Sequence, residues 1–157
     1  MFAWRQSACR SALAVVRSNL DQLLSVVTQW AESRTDVLSL ALVGSQARRT
    51  ANECSDVDLI LLVSEPEGFR VDDTWLKEVQ WIFLGLSVVA WRDAVYGAVW
   101  SRHVTLSDGS ELEFSFGAPS WANIAPVDQG TLSVIKHGWR ILLDRRGLLG
   151  ALASHSA

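Results

Sequence analysis

The sequence predicts an α/β (α+β) fold, a mixed β-sheet with flanking helices on one or both faces. Three observations predict it. Two short apolar runs, Val37-Leu38-Ser39-Leu40-Ala41-Leu42-Val43 and Val57-Asp58-Leu59-Ile60-Leu61-Leu62-Val63, read as buried strands. Ahead of them Leu13, Val16, Leu20, Leu23, Leu24, Val27 and Trp30 recur at three- and four-residue steps, the period of an amphipathic helix over about 7–33. Farther on, the Asp-Gly step in Ser107-Asp108-Gly109 separates two strand-like segments, a good hairpin signal.

The remaining elements follow in order. Residues 45–51 read as a short helix between the two buried strands, and Ser64-Glu65-Pro66-Glu67-Gly68 closes the second strand as a turn. Asp72 or Asp73 can cap a helix whose apolar side carries Trp75, Leu76, Val79, Ile82 and Phe83, with Gly85 as its stop. Residues 86–91 read as a third strand, and 100–106 and 110–116 as the hairpin. Past Pro119 and Pro126, Asp128 can cap a helix to about His137. Ile141-Leu142-Leu143 reads as a short strand, Asp144-Arg145-Arg146-Gly147 as a turn and the tail as a frayed helix.

Composition bounds what such a fold can do. The chain has 157 residues, 49% hydrophobic and 20% charged, with three prolines and ten glycines. That suits one domain with a core of its own and excludes disordered, collagen-like and low-complexity classes. Expected within it are the helix about 7–33, a central core about 37–116, and a helix and short strand about 128–150. Charges interrupt every apolar stretch before membrane-spanning length, so no membrane partner is expected. A net charge of −3 has the wrong sign for coating nucleic acid. Cys9 and Cys54 form no zinc or CxxC spacing, which favours a reducing, cytoplasmic setting. Arg5, Arg10 and Arg17 precede any acid, but no apolar run or cleavage site marks a secretory signal.

The chemistry concentrates in residues 42–59. A buried strand ends at Gly44, where a missing Cβ lets a ligand approach the backbone. Ser45 would open the next helix, bringing free N–H groups, a hydroxyl and the positive helix end to one point, a cradle for phosphate. Arg48, one turn on, adds a bidentate positive charge. Asp56 and Asp58 stand two apart at the start of a strand, so alternation puts both carboxylates on one face. Paired carboxylates repel unless a divalent cation lies between them, and Mg²⁺ takes one or two carboxylates plus phosphate oxygens. A third acid comes from Glu111-Leu112-Glu113-Phe114-Ser115-Phe116, where Glu111, Glu113 and Ser115 share one face and the apolar residues the other. Glu113, deeper in the strand, is the choice, as general base on an acceptor hydroxyl or ligand to a second metal.

Gly44-Ser45-x-Ala-Arg48 followed by Ser55-Asp56-x-Asp58-Leu, between two apolar strands, resembles the signature of the polymerase-β-like nucleotidyltransferase superfamily. The similarity is to its small bacterial forms, the minimal and the aminoglycoside- or lincosamide-nucleotidyltransferases. The resemblance implies the nucleotidyltransferase fold and transfer of a nucleoside monophosphate from an NTP, ATP first, to an acceptor with release of pyrophosphate. It implies that Gly44 and Ser45 hold the β- and γ-phosphates, that Asp56 and Asp58 bind one or two Mg²⁺ ions, with Mn²⁺ as a substitute, and that Glu113 completes the triad. Two positions depart from the pattern: Arg49 stands where the family usually has glycine, and the third acid, often Asp, is here Glu113 or Glu111.

Other features read as structural. Trp30, Trp75, Trp81, Trp91 and Trp139 suit the core, and Trp121 is the one candidate for a pocket wall. Glu111 reads as a solvated strand edge. His103, His137 and His155 have no zinc spacing, and neither a P-loop nor a GxGxxG motif occurs. The expected acceptor is a small molecule or a protein, as in the antitoxin-like members that transfer AMP to a partner, and a homodimer could complete the pocket. Nucleic acid fits the charge less well. The competing class is a catalytically silent nucleotide- or protein-binding module of the same fold.

Overall fold

A computed structural model describes residues 20–44, 56–97, 99–123 and 138–156. Its elements are α1 (Leu20–Ser33), β1 (Val37–Val43), β2 (Val57–Val63), α2 (Pro66–Val71), α3 (Trp75–Glu78), a 3₁₀ turn (Trp81–Leu84), β3 (Val88–Tyr96), β4 (Val99–Leu106), β5 (Glu111–Gly117), a second 3₁₀ turn (Pro119–Ala122), β6 (Trp139–Asp144) and α4 (Leu148–Ser156). The fold is mixed α+β, as expected. Six strands form one sheet in the order β3-β4-β5-β2-β1-β6, parallel between β2 and β5 and antiparallel at the other four pairings.

Alternation divides the sheet into two faces. On one, Leu59 and Leu61 of β2 and Leu112, Phe114 and Phe116 of β5 meet Leu23, Leu24, Val27 and Trp30 of α1. Aromatic rings fill the centre: Phe116 stacks on Trp100 and Phe69 at 4.6 and 5.0 Å, and Trp75 meets Phe114 and Phe116 edge-on at 5.2 Å. On the other, Leu149 and Leu152 of α4 and Ala122 cover Ala41, Ile60 and Leu62. Asp144 anchors that cover, accepting from the Leu149 and Gly150 backbone N–H groups and from the Ser39 hydroxyl. Arg145 closes α1 by donating to the carbonyls of Ala31, Glu32 and Arg34, a cation at the negative helix end.

Several boundaries differ from expectation for identifiable reasons. The region after β2 is a helix starting at Pro66, not a turn; its fixed φ suits a first helical position. The single helix expected through Phe83 is broken at Val79 into α3 and a 3₁₀ turn. Six residues of α-helix would set Trp81 about 240° around from Trp75. Both indoles are buried, and each donates to a backbone carbonyl, of Phe69 and of Leu76. The break lets Trp81 turn inward and leaves Ile82 and Phe83 78% and 73% exposed rather than in the core. Gly85, at φ 68°, ends this segment as foreseen. The third strand starts at Val88 and runs to Tyr96, farther than expected, as an edge strand. There Trp91 is 42% exposed instead of core, its ring 3.9 Å from the Arg102 guanidinium. The expected helices over 45–51 and 128–137, and the first part of the N-terminal helix, lie outside the described residues.

Arg102 is fully buried and paired with Asp93 through two hydrogen bonds of 2.7 and 3.0 Å, while its Nη1 has no hydrogen-bond partner among the described residues. Asp93→Ala would strand that charge and should destabilise the fold by about 3 kcal/mol in urea unfolding, with Arg102→Met in the same chain recovering part of the loss. Arg34, donating to Asp36 at 3.0 and 2.9 Å, holds that carboxyl below its ordinary range against the opposing effect of burial. A carboxyl depressed on folding stabilises above its unfolded pKa and loses that contribution as pH falls through the folded value. Urea midpoints measured from about pH 5 down to about pH 2 should therefore fall less steeply for Asp36→Asn than for wild type.

Candidate active site

One transverse row of residues crosses all six strands. Register pairs Trp139 with Val43, Val43 with Asp58, Asp58 with Glu113, Glu113 with His103 and His103 with Arg92. Directly paired residues share a face, so these side chains project from one side of the sheet. It is the side that α4 covers at Ala41, Ile60 and Leu62, farther along the same strands. Asp58, Glu113 and His103 are half-buried.

Each strand delivers its residue for a local reason. In β2, Val57, Leu59 and Leu61 fill the aromatic side, which turns Asp58 to the other. In β5 the same alternation buries Leu112, Phe114 and Phe116 and turns out Glu111, Glu113 and Ser115, as the sequence pattern indicated. Neighbouring strands run about 4.8 Å apart, so Asp58 and Glu113 start from adjacent main-chain positions. Asp56 immediately precedes β2 rather than lying in it, and is half-exposed. Glu111 stands opposite Thr105 on a strand flanked by β4 and β2; it is not on an edge.

Gly44 follows β1 directly with φ 75°, in the left-handed region that L side chains rarely adopt. A Cβ built there would lie 2.6 Å from Asp58 Oδ2. The Asp58 carboxylate therefore occupies the space a side chain at 44 would take, and glycine is required both by backbone conformation and by this contact. Ser45, Arg48, Arg49 and Cys54 lie outside the described residues, as does Cys9.

The donor chemistry fits a hard divalent cation. Asp56, Asp58 and Glu113 offer only carboxylate oxygens, and the glycine cradle leaves room for one of them beside the backbone. Among the described residues no three His, Cys, Asp or Glu side chains are already gathered as a metal-holding group. Mg²⁺ does not require such a group, because it completes its shell with water and substrate phosphates.

His103, which has no zinc spacing in the sequence, lies in this row beside Glu113. Its Nε2 lies 3.4 Å from Glu113 Oε1 and 3.5 Å from the Tyr96 hydroxyl. The signal was present: His103 and Glu113 stand equally far from Asp108, so a hairpin centred there pairs them. Beside this pair the Ser101 and Ser115 hydroxyls bond at 2.7 Å. Trp121 packs against the second core cluster, with Trp139 and Val43. A cavity of about 660 Å³ lies elsewhere, between Leu76, Val79, Trp81 and the start of β3, and includes no residue of the row.

Among solved structures, an aminoglycoside 6-adenyltransferase from Bacillus subtilis is similar at 16% identity and a TM-score of 0.47, over 62% of this chain and 34% of that one. The likeness thus spans about a third of that chain's length. No curated protein matches. Among the described residues no helix is long and apolar enough to cross a membrane. A family model described as a nucleotidyltransferase domain matches residues 23–101, just over half the chain, and takes in Gly44, Asp56 and Asp58 with both strands that present them. The chain belongs to the nucleotidyltransferase domain family.

Proposed function

We propose that this protein transfers a nucleoside monophosphate from an Mg²⁺-bound NTP, ATP first, to an acceptor hydroxyl with release of pyrophosphate. The observation that carries the reading is the in-register pairing of Asp58 with Glu113, with the Asp58 carboxylate lying over Gly44. Asp56 and Asp58 would hold the metal, with Glu113 as a third ligand where two ions bind. The metal, or Mn²⁺ in its place, would neutralise charge on the reacting phosphates. Gly44 and Ser45 would receive the β- and γ-phosphates, and Arg48 would add charge there.

Where a single ion binds, Glu113 takes the proton of the attacking hydroxyl. The acceptor oxygen then forms its bond to the α-phosphorus, the bond from that phosphorus to the bridging oxygen breaks, and pyrophosphate leaves with the electron pair. The row runs from half-buried Asp58, Glu113 and His103 to exposed Arg92 and would offer the acceptor polar groups over three further strands. An aminoglycoside-like polyol or a hydroxyl on a protein partner would present suitable groups to it, and a second copy of the chain could wall the site. The cysteine usage suits a cytoplasmic setting.

The test is pyrophosphate release from each NTP, with Mg²⁺, against aminoglycosides, lincosamides and candidate protein acceptors. Asp58→Asn and Asp56→Asn should each lower turnover by about 10²-fold or more while circular dichroism stays unchanged. Glu113→Gln should abolish transfer but leave MgATP binding largely in place. Gly44→Ala should also suppress transfer, because its Cβ displaces Asp58, and should cost about 1–2 kcal/mol of stability from the left-handed backbone. Full activity in both aspartate variants would overturn the proposal.

A further inference from the structure

We infer that His103 is a positioning residue for Glu113, the contact of its imidazole Nε2 limiting the rotamers of that carboxylate. The inference rests on the role proposed above for Glu113 and deepens it. His103 and Glu113 are directly opposed on β4 and β5, their side chains 19% and 23% exposed, with Nε2 3.4 Å from Oε1. The same nitrogen lies 3.5 Å from the Tyr96 hydroxyl, which reaches in from the edge strand β3.

The carboxylate selects the tautomer. An ionised Glu113 only accepts hydrogen bonds, so a lone pair on Nε2 facing it would be repulsive. A hydrogen on Nε2 would face the Glu113 carboxylate 3.4 Å away, with the Tyr96 hydroxyl, which can donate or accept, 3.5 Å from the same nitrogen. This contact matters because of what lies on the other side. Asp58 is the in-register neighbour of Glu113, and two adjacent carboxylates push each other apart. A glutamate side chain has three rotatable bonds and, unrestrained, would swing away from that repulsion. Engaging Oε1 from the β4 side holds the side chain in one arrangement and leaves Oε2 for the acceptor's proton. Arg92, opposite His103 on β3, puts a cation at the same end of the row.

Two measurements at one fixed pH test this. The first uses ¹⁵N imidazole spectra of the protein without substrate. Wild type should show the His103 proton on Nε2, and Glu113→Gln should shift that resonance. An unmoved resonance would overturn the inference whether or not the protein is active. The second is single-turnover and steady-state kinetics with MgATP, using the acceptor identified by pyrophosphate release or, without one, water in Mn²⁺. His103→Ala and His103→Phe should lower kcat by about 10–100-fold with little change in the KM for ATP. His103→Gln, which keeps an N–H donor, should restore part of it, and His103→Ala should cost little more once Glu113 is already Gln. Full turnover in His103→Ala alongside a dead Glu113→Gln would reject the role of His103 and leave the proposed function standing. Loss of MgATP binding in wild type, with the His103–Glu113 coupling intact in the spectra, would reject the function instead.

Discussion

The parallel pairing of β2 with β5 is the constraint on which the rest of this molecule depends. The chain leaves β2, builds α2, α3 and two further strands, and returns beside it in a register that sets Glu113 level with Asp58. Parallel pairing needs a long crossover, and here the crossover carries most of the aromatic core. Trp75 and Phe69 come from it and pack on Phe114 and Phe116 of the returning strand. The contacts that hold the crossover down therefore also fix which face of β5 turns outward. A one-residue slip of β5 would put Glu113 among aromatic rings and Phe114 in water, so the register is strongly specified.

Gly44 applies a second constraint at the adjacent strand end. Its left-handed backbone and the closeness of Asp58 Oδ2 make the same demand, the absence of a side chain. Apolar packing thus determines where the carboxylates emerge, and a single glycine determines how closely one of them approaches main chain. On the far side of Glu113 the row continues to His103 and Arg92. The row passes from acids at the middle of the sheet to an imidazole on β4 and a guanidinium on the β3 edge.

Much of this was legible in the sequence. The two central strands, the hairpin and the final strand follow from apolar runs, alternation and one Asp-Gly step, signals that depend on local pattern alone. Asp58 and Glu113 stood out as acids in strands that packing would otherwise keep apolar, Gly44 as the end of a buried run and Asp56 by its two-residue spacing from Asp58. The misses share a different cause. The break at Val79 arises because Trp75 and Trp81 must both reach the core and satisfy their indole N–H groups, a tertiary demand invisible to helical periodicity. Trp91 shares the face of Val104 and Leu112 but stays 42% exposed because β3 is an edge strand, and strand order is not written in any one segment. His103 required the hairpin register to be carried across to the neighbouring strand.

The central claim is that Asp58, cradled by Gly44, forms one half of a metal–nucleotide site. Calorimetric titration of ATP into wild-type protein and Asp58→Asn, each with Mg²⁺ and with chelator, tests it most directly. The account predicts saturable binding by wild type that needs Mg²⁺ and disappears in Asp58→Asn. Binding of equal strength in the variant, or binding indifferent to chelator, would contradict it.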